Sequence, residues 1–185
     1  DDLVDAGREV DDADEPLLVI SGGSNLLVSD VGFRGTAVLV RSQGITVESV
    51  DACSGASVRV AAGEVWDDFV GYAVAAGWSG VEALAGIPGR VGSTPVQNVG
   101  AYGQEVADTI AAVRVWDRTL EQVRTLAADD LRFGYRDSIL KAERGRLVVL
   151  DVLFQFRLSD LGAPIRYADL ADQLGVSLGE RVPLA

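Results

Sequence analysis

A glycine-rich run with neutral polar side chains is the part of this sequence best suited to chemistry. It extends from Ile87 to Gly103, carries Pro88 and Pro95, and has almost no charge. Glycine lets a backbone approach a ligand closely, and proline stiffens a loop by fixing φ. Oriented backbone N–H groups bind phosphate without any lysine. We therefore predict a rigid loop around a polar, anionic small molecule.

A second glycine cluster, Ser21–Asn25, follows the apolar run Leu17–Ile20, which we interpret as a buried strand. A strand followed by a glycine turn and small polar residues is also how phosphate sites are built. A tight turn without a ligand is the alternative interpretation of the same residues. The cluster lacks both the Gly-Lys-Ser/Thr of a Walker loop and the Gly-x-Gly-x-x-Gly of a dinucleotide fold.

A third segment, Arg132–Lys141, mixes aromatic, basic and acidic residues with a serine. Arg136 places a permanently charged group between Tyr135 and Asp137. The alternative is a connector with a solvated charged face, in which Asp137 pairs with Arg136 or Lys141.

The elements that would position these segments are short strands and one clear helix. Val65–Ala76 has helical apolar spacing, and we expect Trp66, Phe69 and Val70 to face the core. The acidic residues 1–14 are expected to form a frayed segment or a surface loop. The predicted strands, besides Leu17–Ile20, are Val38–Val40, Ile45–Val50, Ser57–Val60, Ile110–Asp117, Gln122–Leu126 and Leu147–Leu158. This order of elements predicts an α+β fold rather than a doubly wound one.

Composition limits the function classes. The net charge of −12 argues against nucleic acid as a partner, because phosphate neutralisation needs a basic face. No apolar run is long enough to span a bilayer, so no membrane partner is expected. The absence of histidine excludes a histidine base and a histidyl cofactor linkage within these residues, and the single cysteine fits a reducing cytoplasm. No metal site is predicted. The absence of methionine leads us to expect a fragment or a processed form.

The three segments together resemble the UDP-N-acetylenolpyruvoylglucosamine reductase family. Gly86–Gly103 follows the family's FAD-loop signature, and Gly22–Leu26 matches its first flavin-binding turn. Phe133–Ser138 matches the segment with the catalytic arginine, although Leu140 stands where phenylalanine is common. Ile165–Leu170 is similar to the segment with a substrate-contacting tyrosine.

The resemblance implies an FAD-binding domain of the vanillyl-alcohol-oxidase/PCMH type, with a mostly antiparallel sheet and flanking helices. It implies FAD and NADPH as cofactors and a UDP-sugar enolpyruvyl ether as substrate, reduced to UDP-N-acetylmuramate for peptidoglycan. It implies Arg136 as the catalytic cation and Tyr135 and Tyr167 as substrate-binding residues. The implied cofactor-binding residues are Gly22, Gly23, Ser24, Asn25, Leu26, Ile87, Pro88, Gly89, Val91, Gly92, Ser93, Thr94, Gln97, Asn98, Gly100, Ala101, Tyr102 and Val149.

The family pattern also divides the chain. Residues 1–157 are expected to form the FAD-binding domain, without its opening strands, and residues 158–185 to begin an incomplete substrate-binding domain. The family's proton-donating serine and late glutamate have no counterpart here, so we expect the chain alone to be inactive. A monomer is expected. Another FAD oxidoreductase of the same flavin-domain type and a non-catalytic nucleotide-binding module stay open as alternatives.

Overall fold

A long apolar strand organises the fold, which the computed structural model describes for residues 2–185. The run Leu147–Leu158 alternates buried and exposed positions only near its end, as expected for a strand that is covered on both faces. The helices are α1 Asp2–Asp12, α2 Trp66–Ala75, α3 Ile139–Ala142 and α4 Ala168–Leu174. The strands are β1 Leu17–Ile20, β2 Thr36–Leu39, β3 Ile45–Asp51, β4 Gly55–Ala61, β5 Trp78–Ser79, β6 Gly100–Ala101, β7 Gln104–Glu105, β8 Ile110–Asp117, β9 Gln122–Ala127 and β10 Leu147–Leu158.

The main sheet is antiparallel and has β10 at its centre. Its strand order is β3-β4-β10-β8-β9, and β5 pairs with the end of β10. Strands β1 and β2 form a separate parallel pair, and β6 and β7 form a small hairpin. The predicted α+β class with a mostly antiparallel sheet is therefore confirmed. The predicted strands are also confirmed, except that the one predicted at Val38–Val40 lies at Thr36–Leu39 and that Leu17–Ile20, predicted as buried, is partly exposed because it pairs only with β2.

Helix α2 packs its predicted face on the sheet. Trp66, Phe69 and Val70 are almost fully buried, which confirms the prediction for this helix. The ring centroids of Phe69 and Phe154 of β10 are 5.1 Å apart. The indole N–H of Trp66 donates to the carbonyl of Leu84 at 3.0 Å, which ties the helix to the connection that follows it.

The sequence predicts a frayed segment or surface loop at residues 1–14, but residues 2–12 form α1, so the prediction is wrong for these residues. Residue 1 lies outside the described residues. Val4, Gly7 and Val10 recur at helical spacing and are buried. Gly7 lies against the ring of Trp116, since a Cβ there would make an ordinary contact with two indole atoms at 3.5 Å. The acidic residues between these positions face outward. Because acidic residues outnumber apolar residues in this segment, the helical spacing of the apolar residues is not apparent from the sequence.

No helix within residues 2–185 combines the length and apolar character needed to cross a lipid bilayer.

A fully buried carboxylate fixes the hairpin between β8 and β9. Asp117 accepts hydrogen bonds from Arg124 and Arg146, each with a contact of 2.9 Å. It also accepts from the backbone N–H groups of Thr119 and Leu120 in the turn. The bond from Arg146 is the largest cause that lowers the pKa of Asp117, which falls to about 2 despite burial. The charged form is therefore the one that the fold stabilises.

Asp117→Asn should lower the free energy of unfolding at neutral pH by about 1.5–3 kcal/mol, the range for hydrogen bonds to charged groups. A lowered pKa in the folded state contributes stability that is complete above the unfolded value of 3.8 and is lost as pH falls through about 2. Urea titrations should thus show the gap between wild type and variant closing from pH 4 to pH 2. Asp12→Asn, at an exposed helix end, controls for net charge and should change stability by less than about 0.5 kcal/mol. A gap that does not depend on pH would contradict the ion-pair assignment.

Candidate functional site

The glycine loop between α2 and β6 is held by backbone contacts with the end of β4. The N–H of Gly92 donates to the carbonyl of Ala62 at 2.8 Å, and the N–H of Val91 donates to the carbonyl of Glu64 at 2.9 Å. A Cβ on Gly92 would lie 2.5 Å from the Cβ of Ala62, so no larger residue fits at this contact. The loop therefore has a fixed path across the end of the sheet.

The turn after β1 faces this loop across a cleft of about 330 Å³, here called the first cleft. A Cβ on Gly22 would lie 3.2 Å from the Cα of Gly89, which shows how closely the two glycine segments approach. Trp66 of α2 and Val99 also contribute to the wall. The predicted cofactor-binding residues that line the first cleft are Gly22, Gly23, Ser24, Asn25, Leu26, Ile87, Pro88, Ser93, Thr94 and Gln97.

A second cleft of about 380 Å³ adjoins the first and reaches the start of β10. Val149, another predicted cofactor-binding residue, lines it together with Lys141 and Arg144. The residues shared by both clefts are Val19, Ser21, Asn25, Ser93, Val96 and Gln97. The shared wall makes the two clefts neighbouring parts of one elongated groove.

The groove suits an extended ligand with a polar or anionic middle part. The hydroxyl oxygen of Ser21 is buried in the shared wall and has no hydrogen-bond partner in the protein. Buried polar atoms are nearly always satisfied, so this hydroxyl fits a ligand contact. Lys141 and Arg144 supply positive charge at the second cleft, whereas the first is lined by backbone and neutral side chains.

The turn with Arg136 lies against the other side of the glycine loop. Gly134 and Asp137 exchange backbone hydrogen bonds of 3.0 and 3.2 Å, and Arg136 has a φ of +54°. The guanidinium of Arg136 donates to the carbonyl of Asn98 at 3.0 Å and to that of Gly100. Its carbon lies 5.4 Å from the ring centroid of Tyr135. Arg136 and Lys141 thus both donate to backbone carbonyls, not to Asp137 as the surface-connector alternative supposed.

Asn98 joins the loop to its neighbours instead of facing the groove. Its side-chain N–H groups donate to Glu105 at 2.7 Å and to the carbonyl of Gly134 at 3.0 Å. Its side-chain oxygen accepts from the N–H of Ala107 at 3.2 Å. The predicted cofactor-binding residues that do not line either cleft are Gly89, Val91, Asn98, Gly100, Ala101 and Tyr102, whereas Gly92 lines the second.

The two remaining predicted substrate residues are separate and exposed. Tyr135 is 85% exposed beside Arg136, and Tyr167 is half exposed. Tyr167 packs edge-on against Tyr102, with ring centroids 5.9 Å apart. The structure therefore brings Tyr167 to the far end of the glycine loop.

Glu82 fixes the segment that leads to Tyr167. Its carboxylate accepts from the N–H of Ala163 at 2.7 Å and from that of Gly80 at 2.6 Å. A Cβ on Gly162 would lie 3.3 Å from the same carboxylate, so glycine permits the approach. Burial raises the pKa of Glu82, but the bonds from Gly80, from its own N–H and from Ala163 outweigh it, and the pKa lies below its ordinary value.

Five residues of the groove are not among those predicted to bind the cofactor, although Ser21 and Val96 lie within the predicted glycine segments: Val19, Ser21, Val96, Lys141 and Arg144. Ser21 had a visible signal, since it stands between a predicted strand and the first glycine of its turn. Lys141 was within the third segment, but its approach to the groove depends on the tertiary position of α3.

The comparisons with known proteins agree on the type of domain. Residues 1–126 match the family model described as FAD binding domain. The chain is 56% identical to the UDP-N-acetylenolpyruvoylglucosamine reductase of Cutibacterium acnes over 98% of its own length and 48% of that protein. It is 52% identical to the same-named protein of Thermobifida fusca, covering all of this chain and 51% of that protein. The chain thus spans about half the length of the curated relatives it matches.

Solved structures are similar as well. The crystal structure of UDP-N-acetylenolpyruvylglucosamine reductase from Thermus caldophilus is similar with a TM-score of 0.63 and 30% identity, over 83% of this chain and 53% of that one. The 6-hydroxy-D-nicotine oxidase of Arthrobacter nicotinovorans shares the fold, with a TM-score of 0.63 and 23% identity over 88% of this chain and 35% of that one.

Glu82→Ala should loosen the segment from Ser159 to Ile165, because the N–H of Ala163 would lose its acceptor. Loss of about 1–3 kcal/mol of local stability corresponds to a roughly 5- to 150-fold higher population of the open segment. Native-state trypsin cleavage after the exposed Arg166, followed by mass spectrometry, should accelerate accordingly. Glu64→Ala removes a carboxylate that accepts from Gly44 elsewhere and should not change this rate. Equal cleavage in all three proteins would contradict the role of Glu82.

Proposed function

Because this chain belongs to the family of FAD binding domains, we propose that it is the FAD-binding part of a UDP-N-acetylenolpyruvoylglucosamine reductase. The observation that carries the proposal is the elongated groove between the two glycine segments, in a chain 56% identical to a protein of that name. The reaction is NADPH-dependent reduction of a UDP-sugar enolpyruvyl ether to UDP-N-acetylmuramate, a precursor of peptidoglycan. We place it in the cytoplasm, the compartment in which UDP-sugars are made.

The groove fits FAD by the chemistry of its walls. Gly22–Asn25 would hold the diphosphate through backbone N–H groups and the Ser24 hydroxyl, with the Ser21 hydroxyl as a further donor, whereas the donors of Ser93 are already bonded to the carbonyl of Arg90. Val149 and Lys141 would line one end, at the second cleft. When bound, FAD supplies the redox chemistry by passing reducing equivalents from NADPH to the substrate double bond.

Arg136 is the proposed catalytic cation. Negative charge builds on the substrate carboxylate as its double bond is reduced, and a positive charge fixed beforehand lowers the barrier. The guanidinium is permanently charged and can bind a carboxylate through two N–H groups. The carbonyls of Asn98 and Gly100 hold one edge of this guanidinium, so its direction is set before substrate arrives.

Tyr167 and Tyr135 are the proposed substrate-binding residues. A phenol donates a hydrogen bond to phosphate while its ring packs on an apolar surface. Tyr167 keeps its ring against Tyr102 and remains half exposed, which suits a contact with the UDP diphosphate. Residues 158–185 are the proposed start of a substrate-binding domain, and the protein is proposed to act as a monomer.

FAD binding is tested by the complete gene product, which should purify with an extractable flavin. Gly22→Val should weaken FAD binding, because a side chain there meets the backbone of Gly89 and pushes the groove walls apart. A cost of about 1–3 kcal/mol for such crowding corresponds to a roughly 5- to 150-fold higher Kd, measured by fluorescence titration of the apoprotein. The control is Gly71→Ala, at a helical position with open space, which should leave the Kd unchanged. A colourless protein with no flavin affinity would overturn the proposal.

Arg136→Ala should leave FAD binding and reduction by NADPH nearly intact and slow reoxidation by the enolpyruvyl substrate. The expected loss is roughly 10²-fold or more, the scale of removing one preorganised electrostatic donor. Arg136→Lys should restore only part of the rate, because the fork of N–H groups is lost. Stopped-flow absorbance of the flavin in the complete gene product separates the two half-reactions. An alanine variant that reoxidises at the wild-type rate would show that Arg136 is a surface residue without a catalytic role.

A further inference from the structure

Lys141 reaches from one side of the groove to the turn that carries Arg136. Its ammonium donates a 2.7 Å hydrogen bond to the carbonyl oxygen of Arg136, and the same residue lines the second cleft. We infer that Lys141 is a positioning residue, which holds the Arg136 turn in the conformation needed at the site. The catalytic consequence of this inference rests on the proposed function. The positioning of the turn by Lys141 rests only on the hydrogen bond between its ammonium and the carbonyl of Arg136.

The Arg136 turn needs an outside partner to be kept in place. Arg136 adopts the left-handed region with a φ of +54°, which is strained for a residue with a Cβ. The backbone bonds between Gly134 and Asp137 close the turn but do not engage the carbonyl of Arg136. The ammonium of Lys141 does, and a charge-assisted bond is about twice as strong as a neutral one. It therefore favours the backbone conformation that directs the guanidinium to Asn98 and Gly100.

Lys141 is itself held in a fixed place by α3. The Ser138 hydroxyl accepts from the N–H of Lys141 at 3.3 Å and donates to the carbonyl of Val96 at 2.7 Å. Leu140, the preceding residue, is 5% exposed and belongs to the core. The position of the ammonium is thus fixed relative to both the core and the glycine loop. The same helix, α3, therefore supports both the Arg136 turn and the wall of the second cleft.

The structural arm of the test uses hydrogen exchange with mass spectrometry on the complete gene product. Lys141→Met keeps the length of the side chain but removes the ammonium, and peptides covering 132–141 should exchange roughly tenfold faster. Peptides from β3 and β4 should be unchanged, which shows that the variant is folded. Arg144→Met removes the neighbouring cation of the second cleft and is the matched control. It should leave the exchange of the turn unchanged.

The kinetic arm separates positioning from direct ligand binding. With FAD saturating, Lys141→Met should slow reoxidation by the enolpyruvyl substrate about 10- to 100-fold, the effect of a misplacement near 1 Å. Lys141→Arg should recover part of the rate. In an Arg136→Ala background the same Lys141→Met change should have little further effect, because it acts through Arg136.

The outcomes distinguish the two proposals. Faster exchange of the turn in Lys141→Met supports positioning, even if the wild type reduces no enolpyruvyl substrate and the proposed function fails. Unchanged exchange of the turn overturns positioning, even if the protein is an active reductase. A weakened FAD affinity with unchanged exchange also overturns it, since Lys141 would then be a ligand contact only.

Discussion

The site depends on the close approach of two backbones, that of the glycine loop and that of the chain leaving β4. Gly92 and Val91 donate to the carbonyls of Ala62 and Glu64, and the approach leaves no room for a side chain at Gly92. Ser93, the next residue, and Gln97 both belong to the wall that the two clefts share. The position of the loop on the sheet therefore sets the shape of the groove, and the main chain supplies much of its surface.

Asn98 connects the fixed backbone of the glycine loop to the turn that contains Arg136. Its side chain bonds to Glu105, to Ala107 and to the carbonyl of Gly134, and its own carbonyl accepts from Arg136. The residue is 1% exposed, so these bonds form away from water, where leaving one unmade is costly. A polar residue inside a ligand-binding motif can thus serve the site by joining segments, while glycine backbone and hydroxyls form the surface.

The sequence predicted the sheet and α2 well because period and apolar spacing report burial directly. It failed at α1, since the apolar stripe of Val4, Gly7 and Val10 is diluted by acidic residues and is completed by Trp116, far away in sequence. The glycine segments that form the groove were predictable from residue types. The contribution of Lys141 to the second cleft was not predictable from the sequence, because it depends on where the core places α3.

Backbone strain is concentrated around the proposed catalytic residue. Among residues 2–185, the residues other than glycine with positive φ are Asp14, Asn98, Tyr102, Glu121, Arg132 and Arg136. Four of them lie at the site: Asn98 and Tyr102 in the glycine loop, and Arg132 and Arg136 in the segment 132–141. Each such conformation costs on the order of 1–3 kcal/mol. Asn98 and Arg136 each have hydrogen bonds that hold the strained backbone, and the Arg136 guanidinium joins the two. Since bonds that maintain strain also limit motion, the guanidinium is placed before any ligand binds, which is what electrostatic stabilisation of a developing charge requires.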